Sequence, residues 1–121
     1  MNKRRPNQYG YITIKVAART RHLLMRLAGH MQIREKRKYS AYDALNAQVK
    51  KALEVYKSGG SIPDHDIPLS ERRQQVSLQI PLSLYDDILV LQGYKMLETG
   101  EPVAVTPVIH SLIVEALKEY E

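Results

Sequence analysis

Cysteine, phenylalanine and tryptophan are absent from this chain of 121 residues, and it has no long apolar run. Without cysteine the chain has no disulfide bond, no thiolate catalysis and none of the usual zinc frameworks, and a reducing cytoplasm is the simplest location. A membrane-spanning helix needs about 20 consecutive apolar residues, and the N-terminal residues lack the apolar segment of a signal peptide. We therefore expect a soluble protein that does not enter a membrane.

Apolar content and charge indicate one compact unit with two unlike halves. Hydrophobic residues make up 44% of the chain, enough for a single core at this length. Residues 1–60 contain 14 lysines and arginines against 3 acidic residues, a net charge of +11, whereas residues 61–121 contain 4 against 10, a net charge of −6. The positive half favours nucleic acid phosphates or an anionic membrane surface as a partner, unless its basic helices are simply solvated faces.

Two segments have the alternation of a half-buried strand. Val76, Leu78 and Ile80 alternate with polar residues, the segment Tyr11–Ala17 repeats the pattern, and Pro81 marks a change to helical spacing. An isolated strand leaves its backbone groups unpaired, so we expect the two segments to pair antiparallel as a ribbon. Six side chains are predicted to project from its polar side: Tyr11, Thr13, Lys15, Gln75, Ser77 and Gln79.

Two helices are predicted after each strand. Helical spacing of apolar residues predicts helices over residues 20–36, 40–57, 82–97 and 106–120. Ser40 is the expected N-cap of the second helix, with Asp43 as its capping-box acid, and Thr106 before Pro107 is the expected N-cap of the fourth. Residues 98–102 should break the third helix, and residues 62–68 form a connector punctuated by proline, without a core pattern.

The predicted fold is mainly α with a two-stranded antiparallel β-ribbon. Residues 1–8 form a basic N-terminal arm, residues 9–57 a first strand-helix-helix repeat, residues 58–73 a linker and residues 74–121 a second repeat. A single repeat cannot bury its own apolar faces. Both repeats are therefore expected to form one folded unit in which the helices cover one side of the ribbon.

This repeated pattern resembles the ribbon-helix-helix family of DNA-binding proteins, to which MetJ and Arc belong. The most specific element is the run VSLQIPL at residues 76–82, followed by a helix, a capped turn and a second helix; the first repeat departs from it in having Ala17 in place of proline. Members normally form the ribbon between two identical chains, whereas here both halves lie in one chain, as in the TraY conjugation proteins. Residues 4–11 also resemble the T-DNA transfer enhancer proteins encoded by the VirC operon of Ti plasmids.

The resemblance implies a single-chain pseudo-dimer, monomeric and cytoplasmic in a bacterium, that places its ribbon in the major groove of double-stranded DNA. It would act as an accessory factor in T-DNA or conjugative DNA transfer, with a relaxase or another DNA-processing protein as a further partner. A transcriptional repressor or antitoxin-type autoregulator on the same fold is the alternative. A protein-interaction module that recruits a basic partner through the acidic half is a third reading.

The candidate site has base-reading and phosphate-binding parts. Lysine can donate to guanine O6 and N7 and glutamine can pair with adenine N6 and N7, which makes Lys15, Gln75 and Gln79 the leading base readers. Backbone N–H groups at the starts of the second and fourth helices suit phosphate oxygens. The predicted phosphate contacts are Lys3, Arg4, Arg5, Ser40, Ala41, Arg72, Arg73 and Thr106. Ordinary solvent-facing strand residues and plain N-caps are the alternative reading.

Catalysis is not expected, and neither is a cofactor or a small-molecule substrate. His22, His30, His65 and His110 are scattered without metal-ligand spacing. The run DHD at residues 64–66 lies in a linker that offers no rigid support for a reaction.

Overall fold

The structure, a computed structural model, describes residues 10–121 and consists of two strands and four helices. The elements are β1 (Tyr11–Ala17), α1 (Ala18–Glu35), α2 (Ala41–Lys57), a short 3-10 turn (Leu69–Glu71), β2 (Gln75–Pro81), α3 (Leu82–Thr99) and α4 (Val105–Leu117). The prediction of a mainly helical protein with one two-stranded antiparallel sheet is confirmed, in the order strand, helix, helix, strand, helix, helix. The predicted basic arm, with Lys3, Arg4 and Arg5, lies outside the described residues.

β1 and β2 pair antiparallel over their whole length, with Ile14 opposite Leu78 at the centre. Thr13 lies opposite Gln79 on one side of this pair, and Lys15 lies opposite Ser77 on the other. The ladder continues past both strand ends, as two backbone bonds show: Ala18 N–H donates to Gln74 O at 2.8 Å, and Leu82 N–H donates to Gly10 O at 3.1 Å.

Hydrogen-bonded and non-hydrogen-bonded pairs alternate along an antiparallel ladder. The two terminal bonds make Ala18–Gln74 and Gly10–Leu82 hydrogen-bonded pairs. Because the two kinds of pair alternate between these ends, the pairs Thr13–Gln79 and Lys15–Ser77 are non-hydrogen-bonded. Side chains of such pairs lie closer together, and their own backbone groups point to the edges of the ribbon.

Each strand runs directly into a helix without a loop. Ala17 has φ −62° and ψ 144°, and Pro81 has φ −62° and ψ 150°, so the two junctions have nearly the same backbone. Proline fixes φ near this value, whereas Ala17 adopts it without a ring. Because the helix follows the strand immediately, α1 begins at Ala18 rather than at the predicted Thr20.

The helices cover one face of the ribbon. Ile12, Ile14, Val16 and Ile80 are at most 2% exposed. α2 and α4 pack against each other, and α1 and α3 each pack against both of them. Full burial of such an aliphatic side chain contributes about 1.5 to 3 kcal/mol. The ribbon is therefore fixed to the helices by its apolar side, and its polar side stays in solvent.

The predicted capping box of α2 is confirmed. Asp43 N–H donates to Ser40 Oγ, and Ser40 N–H donates to Asp43 Oδ2, both at 3.0 Å. The Asp43 carboxylate accepts hydrogen bonds from the Ser40 backbone and from the Ser40 hydroxyl, and these bonds hold the pKa of Asp43 below its ordinary value. An N-cap of this kind stabilises a helix by about 1 kcal/mol.

The predicted boundaries of α3 and α4 are also wrong, and α4 ends at Leu117 rather than at residue 120. α4 begins at Val105 with Ala104 at the N-cap, so Thr106 lies inside the first turn and is not the cap. Pro107 is tolerated there because the first four N–H groups of a helix have no partner within it. α3 continues through Thr99 and ends at Gly100, whose φ of 69° is a left-handed conformation that glycine adopts without strain.

The connector between α2 and β2 is held against the helices, and the prediction that it lacks a core pattern is wrong for Ile67, which is 7% exposed. Lys95 of α3 is 4% exposed; its Nζ lies 2.8 Å from Asp64 Oδ1 and donates to Ile62 O. Burial alone would lower the pKa of Lys95, but the bonds to Asp64 and Tyr56 outweigh it, and the pKa lies above its ordinary value. A buried lysine thus fixes the connector.

A buried histidine joins α4 to α1. His110 is 3% exposed and its Nδ1 lies 2.9 Å from Thr20 Oγ1. Burial lowers the pKa of His110, and the neighbouring charges of His65 and Arg19 lower it further, against a smaller opposite effect of Glu71. The fold therefore favours the neutral form of this ring.

Acidification from about pH 7.5 to about pH 5.5 is expected to lower the free energy of unfolding through His110. The unfolded chain takes up a proton near the ordinary pKa of 6.5, whereas the folded chain takes it up only at lower pH. Stability is therefore fully present above 6.5 and is lost as the pH falls. Urea unfolding of the wild type and of His110→Asn at both pH values measures the difference. Equal pH dependence in the two proteins would contradict the prediction.

Among residues 10–121, no helix is both long enough and apolar enough to cross a bilayer.

Candidate nucleic-acid interface

All six side chains predicted to project from the ribbon are exposed on its polar side. We call this surface the outer ribbon face; it consists of Tyr11, Thr13, Lys15, Gln75, Ser77 and Gln79. The face follows from the period of two in a strand, because Ile12, Ile14 and Val16 turn into the core and their neighbours turn outward. The contact roles assigned to these residues stay predictions.

Lys15 and Ser77 are joined across the centre of the outer ribbon face. Lys15 Nζ donates to Ser77 Oγ at 3.1 Å, and both side chains are exposed. An ammonium group has three N–H donors, of which this bond uses one. The bond holds the positive charge above the ribbon and leaves donor capacity for a ligand on the solvent side.

The start of α4 is fixed to the edge of β1. Thr106 Oγ1 donates to Lys15 O at 2.9 Å. This carbonyl belongs to a non-hydrogen-bonded pair, so it points away from β2 and needs a partner at the ribbon edge. The hydroxyl that was predicted to cap α4 binds this carbonyl instead. As a result, the positive end of α4 lies beside the strand that carries Lys15.

Arg72 lies near the end of the ribbon where Ala17 pairs with Gln75. Its Nε donates to Ile67 O at 2.8 Å, which orients an otherwise exposed guanidinium. A cleft of about 310 Å³ brings Arg72, Gln75 and Thr106 together, with Asp66 as an acidic neighbour in its wall. Arg73 is exposed just before β2.

Two basic residues precede α2 and are absent from the predicted phosphate contacts. Arg37 and Lys38 directly precede Tyr39 and the N-cap Ser40. Arg37 Nη2 donates to the Tyr39 hydroxyl at 2.6 Å, and its guanidinium lies 4.1 Å from the centre of that ring. Because anions bind favourably at helix N-termini, a basic run before a capped helix is the sequence signal that could have identified both residues.

Comparison with family models, with curated proteins and with solved structures finds no match for this chain.

The histidines do not form a metal centre within the described part of the chain. Residues 10–121 contain no cluster of three histidine, aspartate or glutamate side chains that could hold a metal ion. His30 Nε2 lies 2.7 Å from Glu121 Oε2, and His65 Nε2 lies 2.7 Å from Glu115 Oε2. Both contacts join distant parts of the chain, as the His110 contact does.

Proposed function

We propose that the chain is a single-chain ribbon-helix-helix protein that binds double-stranded DNA by placing the outer ribbon face in the major groove. One observation carries the proposal: six alternate side chains project into solvent from one face of a paired ribbon whose other face is packed against helices. The major groove, about 12 Å wide, admits a two-stranded ribbon. Side chains on such a ribbon reach base edges while the packed face keeps it rigid.

The pairing of the strands supports an approximate two-fold axis. The alternating runs ITIKV at residues 12–16 and VSLQI at residues 76–80 align, so Thr13 corresponds to Ser77 and Lys15 to Gln79. In the ribbon Thr13 pairs with Gln79, and Lys15 pairs with Ser77. A two-fold axis through the central Ile14 and Leu78 pair exchanges the two strands. It therefore places the counterpart of Thr13, which is Ser77, in the pair with Lys15, and the counterpart of Lys15, which is Gln79, in the pair with Thr13. Because the corresponding residues differ, the two halves of a bound site need not have the same sequence.

The chemistry of the groups supports separate roles in recognition. Lys15 suits guanine O6 and N7, and Gln75 and Gln79 suit adenine N6 and N7. Phosphate contacts are proposed at the start of α2, where Ala41 begins the helix after the N-cap Ser40 and Lys38 precedes them. The Ser40 N–H is already bound to Asp43, so the backbone donor of this contact is the N–H of Ala41. Such contacts fix the register of the protein on the duplex and carry no sequence information.

The proposal extends to the biological setting. An accessory role in T-DNA or conjugative DNA transfer in the bacterial cytoplasm is supported by the resemblance of residues 4–11 and by the tandem order of the repeats. Such a protein would bind beside a transfer origin or border and assist a relaxase.

Selection from a random duplex library, followed by footprinting on plasmid origin, border and promoter DNA, tests this function. We expect an enriched asymmetric motif, protection beside an origin or border, and affinity that falls steeply with salt. Protection confined to a promoter would replace the transfer role by a repressor role. If no sequence is enriched and heparin competes as well as the duplex, the proposal of base reading is wrong.

A further inference from the structure

The two junctions between strand and helix have the same backbone but differ in what fixes it. Ala17 and Pro81 both have φ −62°, and each is the last residue of its strand and the N-cap of the helix that follows. The ring of proline sets φ near this value, whereas alanine can adopt others. Alanine is also a poor N-cap, and α1 has no side-chain cap bond within the described chain. The first junction therefore needs another source of rigidity.

α4 makes two polar contacts that flank the first junction. Thr106 Oγ1 donates to Lys15 O at 2.9 Å, two residues before Ala17. His110 Nδ1 lies 2.9 Å from Thr20 Oγ1, in the first turn of α1. Thr106 and His110 are four residues apart, so they lie on the same side of α4. We call these two contacts the junction bonds.

The junction bonds differ in their access to water. Thr20 is 1% exposed and His110 is 3% exposed, so neither group has water as a substitute partner. The bond from Thr106 lies at the exposed edge of β1, where water can take the place of the hydroxyl. Loss of the Thr106 hydroxyl should therefore cost the fold little, but it removes the contact that fixes the edge of β1 to α4.

The second junction is fixed in a different way. The second residue of each helix is Tyr42 in α2 and Thr106 in α4, and the sixth is Asn46 in α2 and His110 in α4. The first repeat therefore does not repeat this pair of side chains, and it packs against a junction that already has the ring of Pro81. One end of the ribbon has the proline, and the other has the junction bonds.

Resting on the function proposed above, we propose that the junction bonds position Lys15 for base reading, in place of the proline ring that fixes the other end of the ribbon. Thr106 and His110 are then positioning residues, because they act through the backbone on either side of Ala17. A side chain that reads a base edge has to be held within about 0.5 Å of its productive place. Lys15 is two residues from the junction, so its position depends on the rigidity of that backbone.

Amide hydrogen exchange, measured by NMR without DNA, tests the junction bonds. The N–H groups of Ala18 and Leu82 each bond across the ribbon and report on the first and second junction. Thr106→Val removes the hydroxyl but keeps the shape, and should speed exchange at Ala18 roughly tenfold and leave Leu82 unchanged. Thr20→Val should have the same effect through the buried contact. Pro81→Ala should do the reverse, and Thr106→Ser, which keeps a hydroxyl, should behave like the wild type.

A proline at position 17 provides the rescue. Ala17 already has the φ of proline, and its pair with Gln75 is non-hydrogen-bonded, so its N–H points to the ribbon edge and the ladder loses no bond. Adding Ala17→Pro to Thr106→Val should restore slow exchange at Ala18. A role of Thr106 unrelated to the junction would not respond to this second change.

Titration with the selected duplex and with a scrambled version connects the junction to base reading. Thr106→Val should weaken binding to the selected duplex roughly three- to tenfold and to the scrambled duplex much less, and Ala17→Pro should restore the difference. Loss of a phosphate contact would instead weaken both alike.

Three results would overturn the proposal: wild-type exchange at Ala18 in Thr106→Val, no rescue by Ala17→Pro, or equal weakening on both duplexes. If exchange responds as expected but the wild type binds both duplexes equally, the proposed function fails while the junction bonds stand.

Discussion

Replacing Lys15 or Gln79 by alanine is expected to weaken binding to the preferred duplex by about 1 to 3 kcal/mol for each lost base contact. Lys15 and Gln79 are exposed on the outer ribbon face, and neither contributes to the apolar core. The fold should therefore remain intact, and the loss should appear in affinity alone. Titration of each variant with the selected duplex and with a scrambled duplex, at two salt concentrations, measures the effect.

A phosphate-contact variant provides the matched control. Lys38→Ala, near the start of α2, should weaken binding to both duplexes by a similar factor and reduce the salt dependence by about one counterion. Lys15→Ala should instead reduce the difference between the selected and scrambled duplexes. If Lys15→Ala and Gln79→Ala bind every sequence as the wild type does, the outer ribbon face does not read bases.

Replacing Ile80 by alanine is expected to lower the free energy of unfolding by about 2 to 5 kcal/mol. Ile80 is 0% exposed on the packed side of β2, directly after Gln79 on the exposed side. Removing most of its side chain loses apolar burial and leaves a cavity between the ribbon and the helices. Urea unfolding monitored by circular dichroism measures the loss.

The neighbouring residue supplies the comparison for this experiment. Gln79→Ala should change stability by no more than about 0.5 kcal/mol, as substitutions on an exposed surface usually do. Gln79→Ala would then lower the affinity for DNA and Ile80→Ala the stability, because successive side chains of a strand point to opposite faces. Similar stability losses in Ile80→Ala and Gln79→Ala would show that the two sides of β2 are wrongly assigned.

The ribbon could be predicted from the sequence because its pattern is local. A strand has only two faces, so the alternation at Val76, Leu78 and Ile80 decides which side is buried once a partner strand with the same pattern is found. The capping box of Ser40 and Asp43 was predictable for the same reason, since its two residues lie within one turn of helix.

Contacts between residues far apart in the sequence could not be predicted in this way. Thr106 and Pro107 have the local pattern of a helix start, yet the Thr106 hydroxyl donates to the carbonyl of Lys15, 91 residues away. Lys95 is buried because the connector brings Asp64 and the carbonyl of Ile62 to it. Helical spacing from Leu84, Ile88 and Leu91 does place Lys95 on the buried side of α3. The groups that bind its charge come from a distant segment and leave no local signal.

Both strands of the ribbon belong to one polypeptide, and this changes what dilution does to the protein. A ribbon shared between separate chains dissociates when they become scarce, because its stability depends on their concentration. Here each strand encounters its partner at an effective concentration set by the chain that joins them. A cell that contains only a few copies would therefore still have each of them folded.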